Sequence, residues 1–418
     1  MLALEATVSA ISYITIAVFL GQLVAAGFLL PQGQPATLRT ALLVWARASL
    51  LLFLCAAWLA LLVQGAKLQH AFPSAELLWR YLTMTQSGKT WFAREAYGVI
   101  LLFIMWPLPK KNATGKVIRL VAVLTLPLVA ARSLTSHAAA VRDDTAVAVI
   151  ADAIHLIATA LWAGGLVALW SIFYFDRQNH LSASLTAQVV QRFSRLALAS
   201  FFLLLATGAY QSWIHVGSLN ILLNTQYGNV LALKLALFLA MFAFGTLNFL
   251  STKQQLSRWA NTNDAAHQVG QRAFKRIGAE SLLGLSILSV TGLLTVLPPG
   301  VHALHQAAAA KMAANAASGA APAAKLEAPE GARVKILSPT PEQVFAGDKV
   351  PLKFALTKGK RGAHVHAYVD GELMGMFESK QGTLNGIAPG RHTLELRVVA
   401  EDHQTELDAK DRVDFIVK

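Results

Sequence analysis

The chain has 418 residues, a formal charge of +13, 55% apolar residues and only 14% charged ones. Soluble domains carry about 25% charged residues, so this balance argues against an ordinary cytosolic enzyme, and against disorder, which needs low hydrophobicity. The single cysteine, Cys55, lies inside an apolar run, which excludes an intramolecular disulfide and a CxxC zinc or redox motif.

A helix that crosses a bilayer needs about 20 apolar residues. Eight segments qualify in chain order: 7–30, 40–63, 91–108, 118–138, 146–173, 195–215, 229–250 and 277–297. The second holds Arg47, which can snorkel or face the bundle interior, and the third holds Arg94 and Glu95 near its start. No basic stretch precedes the first run, whose first charge is Glu5, so no cleaved signal peptide is expected.

Lys110, Lys111, Lys116 and Arg119 crowd the third connection. Arg177, Arg192 and Arg195 mark the fifth, and Lys253, Arg258, Arg272, Lys275 and Arg276 the seventh, whereas 216–228 holds no charge. The positive-inside rule puts those three connections in the cytoplasm and both termini outside. Lipid surrounds such a bundle, and topology accounts for the basic excess without a nucleic-acid partner.

Histidine inside a bilayer is costly and marks function. His137 closes span four, His155 lies early in span five, and His215 closes span six; His302 and His305 follow span eight, and His70 lies in the second connection. All six fall toward the outer side, and only His180 and His267 toward the cytoplasm. Neutral imidazole binds copper, zinc, nickel or iron. The plainer reading has these residues capping helix ends, but convergence from different helices points to a shared metal site.

In span five, Asp152 precedes His155 by one turn, and Trp162 sits two turns below it, ahead of Gly164 and Gly165. A carboxylate so placed can accept the second ring N–H of the histidine, or ligate metal directly. The glycines would admit a neighbouring helix closely, which together with an interface tryptophan is also the plainer reading of that block. Lys234 and Glu280 are intramembrane ionisable groups, suited to an ion pair or to a proton or cation path. Asn224-Thr-Gln-Tyr-Gly228 reads as an outer loop closing a vestibule or, more plainly, as a helix-entry turn.

Six strings resemble one family. They are Ser133-Leu-Thr-Ser-His137-Ala-Ala, the Asp152 to Gly165 block, Arg192-Phe-Ser-Arg-Leu-Ala, Ala206-Thr-Gly-Ala-Tyr210, Asn224-Thr-Gln-Tyr-Gly228 followed by Leu233-Lys-Leu, and Glu280 with Thr291-Gly292 before Leu297-Pro-Pro. Together they resemble the copper-resistance protein D family of bacterial inner-membrane proteins, over about 120–300 by sequence and over 1–119 by topology alone. The resemblance implies copper handling, generally movement of copper from periplasm toward cytoplasm. The ligand set His137, His155, His215, Asp152 and His302 comes from topology, not from the family.

The expected organisation is an all-α membrane domain over 1–300, an Ala/Pro-rich linker over 301–330, and a periplasmic all-β domain over 331–418. The last has six or seven short alternating runs, with Asp370-Gly371 and Pro389-Gly390 as turns, and predicts an immunoglobulin-like sandwich. His364 and His366 share one face of a strand, as do Met374 and Met376 on the next. A three-residue connection would put both pairs on one face as a copper set; a two-residue Asp-Gly turn would separate them. The plainer arrangement has the methionines in the core and the histidines exposed.

These readings converge on a copper transport or homeostasis protein, not an enzyme, that takes Cu+ or Cu2+ from the periplasmic side, with a periplasmic copper chaperone as a candidate partner. No GxxxxGK[ST] string supplies an ATP site. The rival reading is a membrane electron-transfer protein holding haem b between paired histidines. A third, in which the helices only anchor the β-domain, leaves eight spans without a purpose.

Overall fold

The computed structural model describes residues 1–31, 36–69, 71–109, 114–140, 145–175, 183–216, 222–223, 225–259, 263–298, 327–347, 349–377, 380–385, 387, 389–400 and 405–417. The chain divides into two compact units, Met1–Val301 and His302–Lys418.

In the first unit every predicted span is helical. α1 (Leu2–Val24) ends in a π-turn, Ala25–Leu29, and α2 runs over Ala36–Gln69. A short helix absent from the prediction, α3 (Ala75–Met84), comes before α4 (Gln86–Met105) and α5 (Gly115–Ala130). α6 (Thr145–Thr159) passes through a second π-turn, Ala160–Gly164, into α7 (Gly165–Phe175). α8 (Ala183–His215), α9 (Gln226–Trp259) and α10 (Asn263–Leu294) complete the bundle.

Seven of the described helical segments are long and apolar enough to cross a membrane. The third expected span, α4, falls short because Lys89, Arg94 and Glu95 lie within its 20 residues. It nevertheless traverses the same thickness as α2, antiparallel to it. Trp91 at its start meets Trp58 late in α2, with ring centroids 4.8 Å apart. Beyond its end, Trp106 O accepts from Arg47 Nη1 at 2.9 Å, so Arg47 faces the protein near the start of α2. Arg94 and Glu95 pair at 3.2 Å with their side chains only 6% exposed, which hides both charges from lipid.

Leu52, Phe103, Leu120, Phe202, Leu239 and Leu247 are each more than half exposed on the bundle exterior. Unbroken apolar surface of this kind belongs in hydrocarbon. The chain is a multi-pass membrane protein. At one end of the bundle, Arg39 Nε donates to Ala26 O, Arg192 Nη1 to Leu29 O, and Arg119 stacks over Phe28. Arg39 and Arg192 thus cap carbonyls beyond the end of α1, where helix carbonyls lack partners, and Arg119 lies beside them.

The second π-turn meets α1 backbone to backbone. A Cβ at Gly164 would stand 1.9 Å from Ala17 O, and one at Gly21 would stand 2.1 Å from Gly164 O. Only glycine fits both positions. A Cβ at Gly165 would instead meet the Phe193 ring at 2.7 Å.

The second unit is a sandwich of two sheets. Its strands are β1 (Arg333–Ser338), β2 (Gln343–Phe345), β3 (Lys349–Thr357), β4 (Gly362–Val369), β5 (Glu372–Phe377), β6 (Gln381–Asn385), β7 (Gly390–Ala400) and β8 (Glu406–Val417). The sheets have orders β1-β3-β6 and β2-β8-β7-β4-β5. Val365, Ala367, Leu394, Leu396, Phe354 and Phe415 fill the core between them.

Asp370 and Gly371 form the two-residue β4–β5 turn with φ of 53° and 88°, both left-handed. Val369 pairs with Glu372, so without further adjustment both methionines would face away from the histidines. A bulge between Ala367 and Tyr368 adds one residue on β5, and His366 then pairs with Met376 while Met374 packs against the core. Neither predicted arrangement of the methionine pair therefore holds, because one inserted residue splits them between faces.

The histidines are not exposed either: His364 and His366 keep 1% and 2% of their surface. Beside them, Glu406 accepts from Tyr368 Oη and from Arg397 Nη1. Burial pushes the Glu406 carboxyl up, but bonds from His366, Tyr368 and Arg397 outweigh that and hold it down at about 2.

Candidate functional site

The end of the bundle away from the arginine cap holds a cavity of about 1010 Å³. A polar stripe runs along α8, Thr207, Gln211 and His215, spaced i, i+4, i+8, and its last two members line the cavity. Each of the three meets a group from another segment.

At the outermost level, His215 faces His137 from the 3₁₀ segment His137–Ala140, with ring centroids 6.3 Å apart and planes at 70°. One turn further in, Gln211 Nε2 donates to Asp152 Oδ1 at 3.1 Å, while Ser136 Oγ donates to Asp152 Oδ2 at 2.8 Å. At the next level His155 Nδ1 lies 2.9 Å from Thr207 Oγ1. The Thr207 hydroxyl donates its one hydrogen to Leu203 O at 2.6 Å, so it accepts from the imidazole. His155 is thereby held as the Nδ1–H tautomer, with its lone pair on Nε2.

The expected Asp152–His155 hydrogen bond is replaced by these two. Both Asp152 oxygens are taken by Ser136 and Gln211, and Thr207 of α8 holds His155. Among the described residues, no three His, Cys, Asp or Glu side chains converge closely enough to hold a metal ion. His137, His215, Asp152 and His155 line one cavity as successive levels, with His155 about 4.5 Å deeper along α6 than Asp152. His302, His305 and His70 lie outside the described residues.

Trp162, on the second π-turn, also lines the cavity. It stands edge-on to Phe201 and Phe238 at 6.2 and 5.4 Å, so the inner wall is aromatic. Lys234 lines the cavity from α9. Glu280 does not meet it: its Oε2 lies beside Gly245, 11 residues or about 16 Å further along α9. Thr225 caps α9 by accepting from Gly228 N at 2.9 Å, which makes the stretch from Thr225 to Gly228 a helix entry; Asn224 lies outside the described residues.

Arg132, Thr207 and Gln211 were not among the predicted site residues. Arg132 donates to Ser12 Oγ at 2.9 Å and lies over the Tyr13 ring at 4.1 Å, so it lines the cavity from the end of the α5 segment. The α8 stripe was readable as polar residues at a four-residue period in an apolar helix. The Arg132 contact was not, since its partners are about 120 residues away in sequence.

Comparison with known proteins gives the same two regions a common description. Residues 2–147 match the model of the copper resistance protein D-like N-terminal domain, and residues 187–294 match that of copper resistance protein D. The helical part of the chain belongs to the copper resistance protein D family. The likeness thus covers the first 119 residues in sequence as well as in topology. Copper transport protein CutJ of Bacillus subtilis (strain 168) is 27% identical over 216 residues, or 51% of this chain. The match spans only 37% of the length of that relative. Among solved structures, the fibronectin(III)-like modules of Clostridium thermocellum CbhA match 20% of this chain and 96% of their own, at 20% identity and a TM-score of 0.19.

Proposed function

We propose that this protein transports copper, or keeps its level in balance, at the bacterial inner membrane, taking the ion from the periplasmic side through the histidines of the bundle cavity. One observation carries the reading: imidazoles from three separate segments line a single cavity at successive depths.

Lys67, Arg94, Arg132 and Lys234 outnumber Glu5 and Asp152 in the lining, so the cavity does not gather cations by its field. Capture then depends on neutral nitrogen donors. The 6.3 Å between the His137 and His215 rings leaves room for one ion bound by both at metal–nitrogen bonds of about 2 Å. His155, with Nε2 unprotonated, is the next donor inward, and the ion moves by exchange of ligands. No catalytic step is involved. The arginine cap at the far end fits a cytoplasmic face under the positive-inside rule. That orientation places the cavity and the C-terminal β-sandwich on the periplasmic side, where a copper chaperone would deliver the ion.

The test is metal analysis and an absorption spectrum of the purified protein beside its His137/His155/His215→Ala variant. More copper held by the wild type than by the variant, with no Soret band, is the expected result. Equal copper in both would overturn the site, and a Soret band lost with the histidines would establish the haem b reading instead.

A further inference from the structure

The β-sandwich carries a second cluster of donors, separate from the cavity. On β4, His364 and His366 sit on the face away from the sandwich core, and their Nε2 atoms approach to 3.2 Å. Two imidazole nitrogens at that separation, with metal–nitrogen bonds of about 2.0–2.1 Å, subtend an angle of about 100° at a metal, close to tetrahedral. The rings are therefore already placed to grip one ion without moving.

The surroundings favour a cation. His366 Nδ1 lies 3.5 Å from Glu406 Oε1, so the carboxylate draws the ring hydrogen to Nδ1 and leaves the lone pair on Nε2. Glu406 itself is committed to Tyr368 and Arg397 and braces the pair without ligating. Arg397 also bonds Glu395 at 2.6 Å, so its guanidinium is shared between two carboxylates. On the other side, the bulge in β5 makes Met376 the direct cross-strand neighbour of His366. Directly paired residues share a face with Cβ atoms about 5 Å apart. A long thioether side chain spans that gap.

We propose that His364, His366 and Met376 form a binding site for one cuprous ion in the β-sandwich. Two imidazoles suit copper and zinc alike, but a thioether third donor selects the soft monovalent ion. On binding, His364 gives up the hydrogen on Nε2 and takes one up on Nδ1, so that both rings stay neutral and the metal takes the place of the hydrogen. The proposal does not rest on the cavity reading.

It is tested on the full-length protein in detergent, in the His137/His155/His215→Ala background, so that copper bound in the cavity cannot contribute. Cu+ is titrated in competition with a coloured cuprous chelator. The background protein is expected to hold one copper, and His364→Gln/His366→Gln to lose it. Glu406→Gln is expected to weaken binding about 10- to 100-fold. Met376→Leu preserves volume and should fold even where the double variant does not. X-ray absorption of the copper-loaded background is expected to show a sulfur neighbour that Met376→Leu abolishes. Full copper retention in His364→Gln/His366→Gln, no sulfur neighbour, or uptake of Zn2+ in place of Cu+ would each overturn the assignment.

Discussion

Thr207 decides which nitrogen of His155 carries the hydrogen. A hydroxyl has one hydrogen, and here it is spent on Leu203 O, so the imidazole must donate through Nδ1. Thr207→Val keeps the shape and removes that acceptor. Its expected effect is a weakening of cuprous binding in the cavity by about 10- to 100-fold at unchanged protein yield, read by chelator competition in the His364→Gln/His366→Gln background. Unchanged affinity would show that the tautomer is set elsewhere. Gly164 is governed by packing instead. An alanine methyl there would stand 1.9 Å from the Ala17 carbonyl oxygen, and backbone cannot move aside as a side chain can. Gly164→Ala should cost about 3 kcal/mol, the upper end for overpacking, and appear as a lowered melting temperature in detergent.

At the scale of elements, α4 shows how a charged helix joins a membrane bundle. Its Arg94 and Glu95 are neighbours in sequence that satisfy one another inside the protein, and Arg94 further lies over the Phe53 ring at 5.7 Å. Glu95 Oε2 is buried with no hydrogen bond among the described residues, so the pair has little in reserve. Arg94→Leu, which strands the carboxylate, should destabilise the protein by about 3–5 kcal/mol, whereas Arg94→Leu/Glu95→Gln should recover most of the loss. Thermal unfolding of the three proteins decides this, and equal melting of both variants would contradict it. The π-turn between α6 and α7 is a second device of this kind. Its extra residue per turn presents Gly164 to α1 while keeping Trp162 on the cavity wall.

For the whole molecule, the proposed orientation puts the cavity end outside. With Cys55 replaced by serine, single cysteines are placed in segment 216–228 and in segment 109–119. A membrane-impermeant maleimide applied to intact spheroplasts should label only the first. Labelling of the second alone would invert the proposed orientation. The cavity end, bearing His137 and His215, would move with it, so uptake from the periplasm would lose its basis.

The eight expected spans, their order and the β character of the tail were legible in the chain, because apolar run length and residue alternation are local properties that burial reads directly, whereas the short α3 was not. The six family strings were legible for the same reason. The meeting of residues far apart was not. Thr207 lies 52 residues from His155 and Gln211 lies 59 from Asp152, and nothing near either residue announces its partner. Tertiary packing alone set the depth of each histidine, turned the Asp152 carboxylate away from His155, and moved Lys234 and Glu280 to different levels. In the sandwich a single bulged residue chose which methionine stands opposite His366. Periodicity tells which face a side chain takes only while the register is unbroken, and the register of one strand is settled by the strand beside it.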